Sequence, residues 1–286
     1  MKNYFKGYYF KHTMNDKACA FIVSEHHSKT ESYASIQFIN ENGSHIKRFP
    51  LEWYHETISP LSIRIANNIF SETGIIANIT FDDLQLECNF FYDKFTPLQS
   101  HIMGPFRFIP FMQCHHDVYS LTHHFLGTLI LNDDVYNIEE GLCYIEGDKG
   151  ASFPKKYLWT QANFEEEETQ NSIMCALATI PMLGFQFMGC IAEIYYNHEH
   201  FRFATYKNVR IKQLSQTQVL LKQGKYYLKI TQLTNNAHEL DAPTSGLMTH
   251  KIKESPACLV RYEFYKKDVC IFEKELPTAS FEAKNL

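Results

Sequence analysis

Long apolar runs are missing from this chain of 286 residues. No window reaches the roughly 18 apolar residues that a membrane-spanning helix needs, and the N-terminal MKNYFKGYYFKH has no apolar core of the kind that directs secretion. The longest sparsely charged run, Ile173 to Ile194, is broken by Thr179, Pro181, Gly184 and Gln186 and reads as two core strands joined by a turn. No Lys/Arg run exceeds two residues and the net charge is −5, which argues against nucleic acid as a partner. The eight cysteines include no C-x-x-C pair. Scattered in this way, they are expected as reduced thiols of a cytoplasmic protein. G-x-G-x-x-G, the P-loop and G-x-S-x-G are all absent, so nucleotide cofactors and serine hydrolysis have no support. A sustained 3.6-residue period is also missing from any segment longer than about 12 residues.

What the chain does have is short β-type runs and many aromatics, with 23 Phe and 17 Tyr against 2 Trp. Tyr4–His12, Ala18–Ser24, Tyr33–Ile39 and His45–Phe49 have the spacing of a meander, with Asn42-Gly43 as a hairpin signal. Ile75–Thr80, Leu84–Tyr92 and Val118–Leu131 continue it, and Thr96–Pro110, rich in proline, reads as a fixed loop crossing the sheet. Lys155–Asn163 alternates, with Tyr157, Trp159, Gln161 and Asn163 on one face and Leu158, Thr160 and Ala162 on the other. The second half repeats the style from Ser172 to Glu273. The expected fold is all-β, with two antiparallel barrel or sandwich units, residues 1–164 and 165–286, meeting at the acidic run Glu165–Glu168.

Chemistry-bearing residues concentrate between Met103 and Phe164. Within that stretch, Tyr144-Ile145-Glu146 reads as a strand, Gly147-Asp148-Lys149-Gly150 as an acidic turn, and Lys155–Asn163 as the returning strand. Met103-Gly104-Pro105-Phe106, Pro110-Phe111-Met112, His115-His116-Asp117-Val118, Tyr144-Ile145-Glu146 with Asp148 and Gly150, Ser152-Phe153-Pro154, Trp159, Gln161 and Asn163 follow one another in an order that resembles the tocopherol cyclases and their bacterial relatives. Weaker matches, including Phe201-Arg202-Phe203-Ala204-Thr205-Tyr206, extend over nearly the whole chain. Lys149 stands where the family usually has Trp, and Gln113 where it usually has Glu. The resemblance implies paired lipocalin-like barrels.

Two groups of polar residues stand out. Six of the 14 histidines are adjacent pairs, His26-His27, His115-His116 and His123-His124. On one continuous strand His116 and His124 would lie about 26 Å apart, too far for one metal ion, and no metal site is expected. Glu146 and Asp148, at i and i+2, would share a strand face with Tyr144, about 6.6 Å apart along the strand. On spacing alone the bland reading, two solvated turn acids, is favoured.

The resemblance implies a role for these groups in protonating a prenyl double bond so that a quinol hydroxyl captures the cation, with no metal or redox cofactor. It implies Asp148 as proton donor supported by Glu146, Tyr144, Tyr157 and Trp159 lining an apolar pocket, and His116 and Asn163 orienting the ligand's hydroxyl end. An apolar small molecule such as a prenyl quinol is the expected partner, with transient contact to a membrane surface. A protein that binds such a lipid without chemistry, and a structural or interaction protein, are the alternatives.

Overall fold

The computed structural model describes residues 3–109, 112–182 and 185–286, leaving aside the side chains of Met182, Thr249 and His250. Alternating apolar positions form a first set of strands: β1 (Tyr4–Met14), β2 (Lys17–His27), β3 (Ser32–Asn40), β4 (Gly43–Pro50), β5 (Tyr54–Ile58), β6 (Leu61–Ile65), β7 (Asn68–Ser71), β8 (Gly74–Thr80), β9 (Gln85–Tyr92), β10 (Cys114–Leu131) and β11 (Asp134–Gly150). They make one antiparallel sheet in the order 4-3-2-1-11-10-9-8-7-6-5. A second set follows: β12 (Tyr157–Glu166), β13 (Thr169–Met182), β14 (Phe185–Tyr196), β15 (Glu199–Ala204), β16 (Arg210–Leu214), β17 (Gln218–Gln223), β18 (Tyr226–Gln232), β19 (His238–Thr244), β20 (Leu247–Lys266) and β21 (Val269–Lys284). Their order is 15-14-13-12-21-20-18-17-16, with β19 on β20.

Both sheets follow one plan. The first strand pairs with the last, β1 with β11 and β12 with β21, so the centre of each sheet is where the chain enters and leaves it. The outermost strands, β4 and β5, are joined only by the short turn Leu51–Trp53, and β15 and β16 only by residues 205–209. A connection that short between opposite edges forces each sheet to curl into a barrel. The protein is therefore two lipocalin-like antiparallel units packed together, each around its own apolar core.

A third core lies between them. Alternation on β1 sends Tyr8 and Phe10 into the first barrel and Tyr9 outward to the seam. Likewise Ile145 points inward and Tyr144 outward, while Leu158 and Ala162 fill the second barrel and Trp159 faces the seam. The alternations expected around Tyr144 and Trp159 are both met. Buried Lys11 ties the units, donating to the carbonyls of Gln161 (3.1 Å) and Thr278 (2.8 Å).

Two local expectations are corrected. Gly147-Asp148-Lys149-Gly150 is the end of β11, paired with β1 on one side and β10 on the other, and does not turn. Its glycines serve close approach: a Cβ on Gly150 would stand 2.2 Å from the Gln113 carbonyl oxygen. The change of sheet falls between Gly150 and Tyr157, so β12, expected in the first unit, belongs to the second sheet. The acidic run closes the β12–β13 hairpin, with Glu167 and Glu168 at φ 48° and 60°, in the left-handed conformation that a tight two-residue turn demands. All eight cysteines are free thiols, six of them buried, Cys114 partly covered and Cys270 exposed.

Candidate functional site

The segment between β9 and β10 crosses from the first barrel to the second and is fastened there by Arg202 of β15. Its guanidinium pairs with buried Glu193 and donates to the carbonyls of Ser100 (3.0 Å), His101 (3.1 Å) and Ile102 (3.4 Å). Tyr206 adds an O–H to the Ile102 carbonyl at 2.9 Å. Its ring lies over Gly104, where a Cβ would approach to 2.5 Å and where φ is +51°. The two sequence runs Met103–Phe106 and Phe201–Tyr206 are thus halves of one clamp. The clamp places Met103, whose Sδ accepts the backbone N–H of His116 at 3.2 Å.

Beside this clamp, at the seam, lies a mostly apolar cavity of about 210 Å³ walled by both units. Glu146 of β11 reaches it from the first sheet and is 6 % exposed, which overturns the reading of a solvated turn acid. Its Oε2 accepts the Tyr144 hydroxyl (2.6 Å) and the Trp159 Nε1–H (3.1 Å). His116 Nε2 stands 3.4 Å from the same oxygen without hydrogen-bond alignment. The donors all converge on Oε2, so a neutral Glu146 carries its proton on Oε1. Burial raises the Glu146 pKa to about 7, against the opposing pull of His116 and of the two hydrogen bonds.

Asp148 is in a different state of partnership. Its Oδ1 contacts His116 Nδ1 at 3.1 Å and the Cys114 thiol at 3.4 Å. Burial lowers the His116 pKa, but Glu146 and Asp148 outweigh that and raise it to about 9, so the ring is an imidazolium at neutral pH. Lys149 points to the other face of β11, where its Nζ lies 3.5 Å from Asp117, and it does not set the charge beside Asp148. Neighbours on a strand diverge, and pairing on both sides keeps them apart.

The second sheet brings two acids that the sequence did not reveal. Glu254 and Glu282 face each other across β20 and β21, and Glu282 is in turn opposite Trp159 of β12. Both are buried in the cavity wall. Tyr9 donates to Glu254 at 2.5 Å, and Tyr157 donates to Glu282. Burial raises Glu254 to about 7, opposed by the Tyr9 hydrogen bond and Lys11, and it raises Glu282 well above the ordinary carboxylate range. An acid so raised takes up its proton in the fold more readily than in the unfolded chain. Its stabilising contribution is therefore complete below about pH 4.5 and lost as pH rises through about 7. Glu254→Gln should accordingly flatten the pH dependence of urea unfolding and gain stability relative to wild type at pH 8, by up to about 3 kcal/mol, but not at pH 4. Equal shifts at both pH values would mean that folding leaves the titration of Glu254 unchanged.

Of the seven expected site residues, Glu146, Asp148, His116, Tyr157 and Trp159 line the cavity. Tyr144 does not line it and braces Glu146 from behind. Asn163 lies away from it, donating to the Leu121 carbonyl (2.9 Å) and accepting from Gln161 (2.5 Å), a correction that follows from β12 running out of the cavity before it reaches Asn163. Pro110 and Phe111 of the motif lie outside the described residues. His116 and His124 are separated by register shifts in β10, and His124 pairs with Glu140. Donor atoms of His116, Glu146 and Asp148 lie within 4.8 Å of one another and could hold a cation, for which the imidazole must first lose the proton the two carboxylates hold on it.

A family model described as tocopherol cyclase-like matches residues 79–283. Among solved structures, a putative AttH from Nitrosomonas europaea superposes with a TM-score of 0.53 at 11 % identity, over 99 % of this chain and 92 % of that one. Kievitone hydratase from Nectria haematococca gives 0.51 at 11 % identity, with 99 % and 89 % covered. CghA in complex with Sch210972 gives 0.59 at 8 % identity, with 99 % and 88 % covered. At these identities the likeness is one of fold. Comparison with curated proteins finds no sequence match.

Proposed function

Because the chain belongs to the tocopherol cyclase-like family, we propose that it catalyses acid-initiated addition to a carbon–carbon double bond of an apolar, prenyl-type substrate held at the seam between its two barrels. The observation that carries this reading is the placement of Glu146: a buried acid in the wall of an apolar cavity, raised by that burial to about 7, its Oε2 fixed by Tyr144 and Trp159. Such an acid can protonate an alkene, a step worth about 10²–10⁴ in rate. Glu146 is the donor in preference to Asp148, which is the more exposed of the two and whose Oδ1 is engaged by His116 Nδ1 and the Cys114 thiol. The His116 imidazolium, raised to about 9, is the weaker acid and steadies the Glu146 carboxylate once its proton has gone.

The remaining groups complete the balance. Protonation makes a new C–H bond and leaves a tertiary cation, which the faces of Trp159, Tyr9 and Tyr157 stabilise by roughly 0.5–2 kcal/mol each. The substrate's own hydroxyl adds to the cation, and the proton it sheds returns to the Glu146 carboxylate left by the first step, which restores the acid. The net change is an isomerisation with no oxidant or reductant, and exclusion of water keeps the cation for the internal nucleophile. Kievitone hydratase and CghA share the fold, and capture by water in place of the internal hydroxyl would give a hydration.

Incubation with a prenylated hydroquinone tests the reading. A product of unchanged mass and altered retention supports cyclisation, and a gain of one water supports hydration. Tight binding with no new product would make the protein a prenyl-lipid binder.

The pH dependence has a definite sign. The donor must be protonated, so turnover should be highest below pH 7 and fall as pH rises through about 7, while His116 keeps its charge to about 9. A rate that climbs between pH 6 and 8 would require a group that acts as its base form.

A further inference from the structure

Part of the cavity wall at the seam comes from three stretches of unusual composition: Pro105–Ile109 in the crossing loop, Ala151–Tyr157 between the sheets, and the sequence Ala178–Gly189, whose described residues flank the β13–β14 hairpin. In a chain with 32 Asp and Glu and a net charge of −5, these segments contain no carboxylate at all, while they carry Arg107, Lys155 and Lys156 and five phenylalanines. Two of those rings point to solvent: Phe108 is 73 % exposed and Phe185 55 %. They belong to one rim, because Phe106 meets Phe187 at 6.3 Å between ring centres and Phe187 meets Phe185 at 6.4 Å. The Arg107 guanidinium lies over the Phe108 ring at 4.5 Å, an apolar ring carrying a cation at its edge. Lys155 and Lys156 are exposed on the approach to β12, beside Thr179 of the hairpin. Phe106, Ile180 and Pro181 line the cavity and join it to the rim.

Exposed rings flanked by cations, on segments free of acids and next to the wall of an apolar cavity, match a bilayer surface carrying anionic lipid. We infer that this rim docks on such a membrane, the exposed phenylalanines entering the headgroup boundary, so that an apolar substrate passes from the acyl layer into the cavity without crossing water. The occupant is a bilayer because an apolar ligand resides there and because the cations match anionic headgroups. The inference rests on the reading of the cavity as a lipid site, but not on any chemistry within it.

Co-sedimentation with unilamellar vesicles tests it, using phosphatidylcholine alone and phosphatidylcholine with about 30 % phosphatidylglycerol. The protein should partition onto the mixed vesicles, and at least about tenfold less onto neutral ones or at high salt. Phe108→Ser with Phe185→Ser, both at exposed positions outside the cavity wall, should lower partitioning at least about tenfold with an unchanged thermal transition. Arg107→Gln with Lys155→Gln and Lys156→Gln should remove the preference for the anionic vesicles. Glu146→Gln should bind vesicles as wild type does, which separates failure of the chemistry from failure of docking. Wild type that stays in the supernatant, or a double Phe variant that sediments like wild type, overturns the inference. So does self-association that is lost in the double variant while vesicles have no effect, which would make the rim an interface between two copies.

Discussion

Glu146→Gln should lower turnover of a prenylated substrate by at least about 10²-fold, equivalent to about 2.7 kcal/mol of transition-state stabilisation, while ligand affinity changes little. The amide carbonyl of glutamine can occupy the position of Oε2 and accept from Tyr144 and Trp159 as the carboxyl does, leaving the shape of the wall intact and removing only the proton. Asp148→Asn should do much less, because it weakens the hold on His116 and leaves the acid in place. Single-turnover kinetics with a bound-ligand control checks both. Equal losses for the two variants would mean that they act as one unit, and a larger loss for Asp148→Asn would return the donor role to Asp148.

Arg202→Met should destabilise the fold by about 3–5 kcal/mol, the range for leaving a buried partner charge uncompensated. The partner is Glu193, 1 % exposed, which would keep only His200 at 2.9 Å. Three loop carbonyls would lose their donor as well. Urea unfolding should show the loss, and Arg202→Met with Glu193→Gln should recover about half of it by removing the stranded charge. The same change should loosen the loop that carries Met103 and Phe106 into the cavity. Destabilisation below about 1 kcal/mol would mean the ion pair contributes no more than an exposed one.

How much of this was legible in the sequence depends on the range of the interaction. Strand positions and faces were legible, because period-2 alternation is written locally: Tyr144, Glu146 and Asp148 share a face, as do Tyr157 and Trp159. The motif residues pointed to the cavity wall. Gly147-Asp148-Lys149-Gly150 misled because its composition is that of a turn, while pairing by β1 and β10 from both sides overrides it. Glu165–Glu168 misled for a related reason: four like charges suit a junction, but two of them fit a left-handed hairpin turn.

Glu254, Glu282, Tyr9 and Lys11 were not legible as site residues. They come from the two ends of the chain and meet only because each barrel pairs its first strand with its last. A weak signal was present in Ala279-Ser280-Phe281-Glu282-Ala283, one acid among small and apolar residues. That the cavity lies between the barrels, instead of inside one, follows from which strand faces are left to cover the seam, and no single segment records it.

The central claim is that Glu146 delivers a proton to a carbon of the bound alkene. A single turnover of a prenylated hydroquinone in deuterium oxide, with the product read by mass spectrometry and NMR, tests it most directly. The account predicts one deuterium on the carbon next to the new C–O bond, set on one face, with none formed by Glu146→Gln at the same substrate occupancy. Product carrying no carbon-bound deuterium, or deuterated product formed as fast by the glutamine variant, would contradict it.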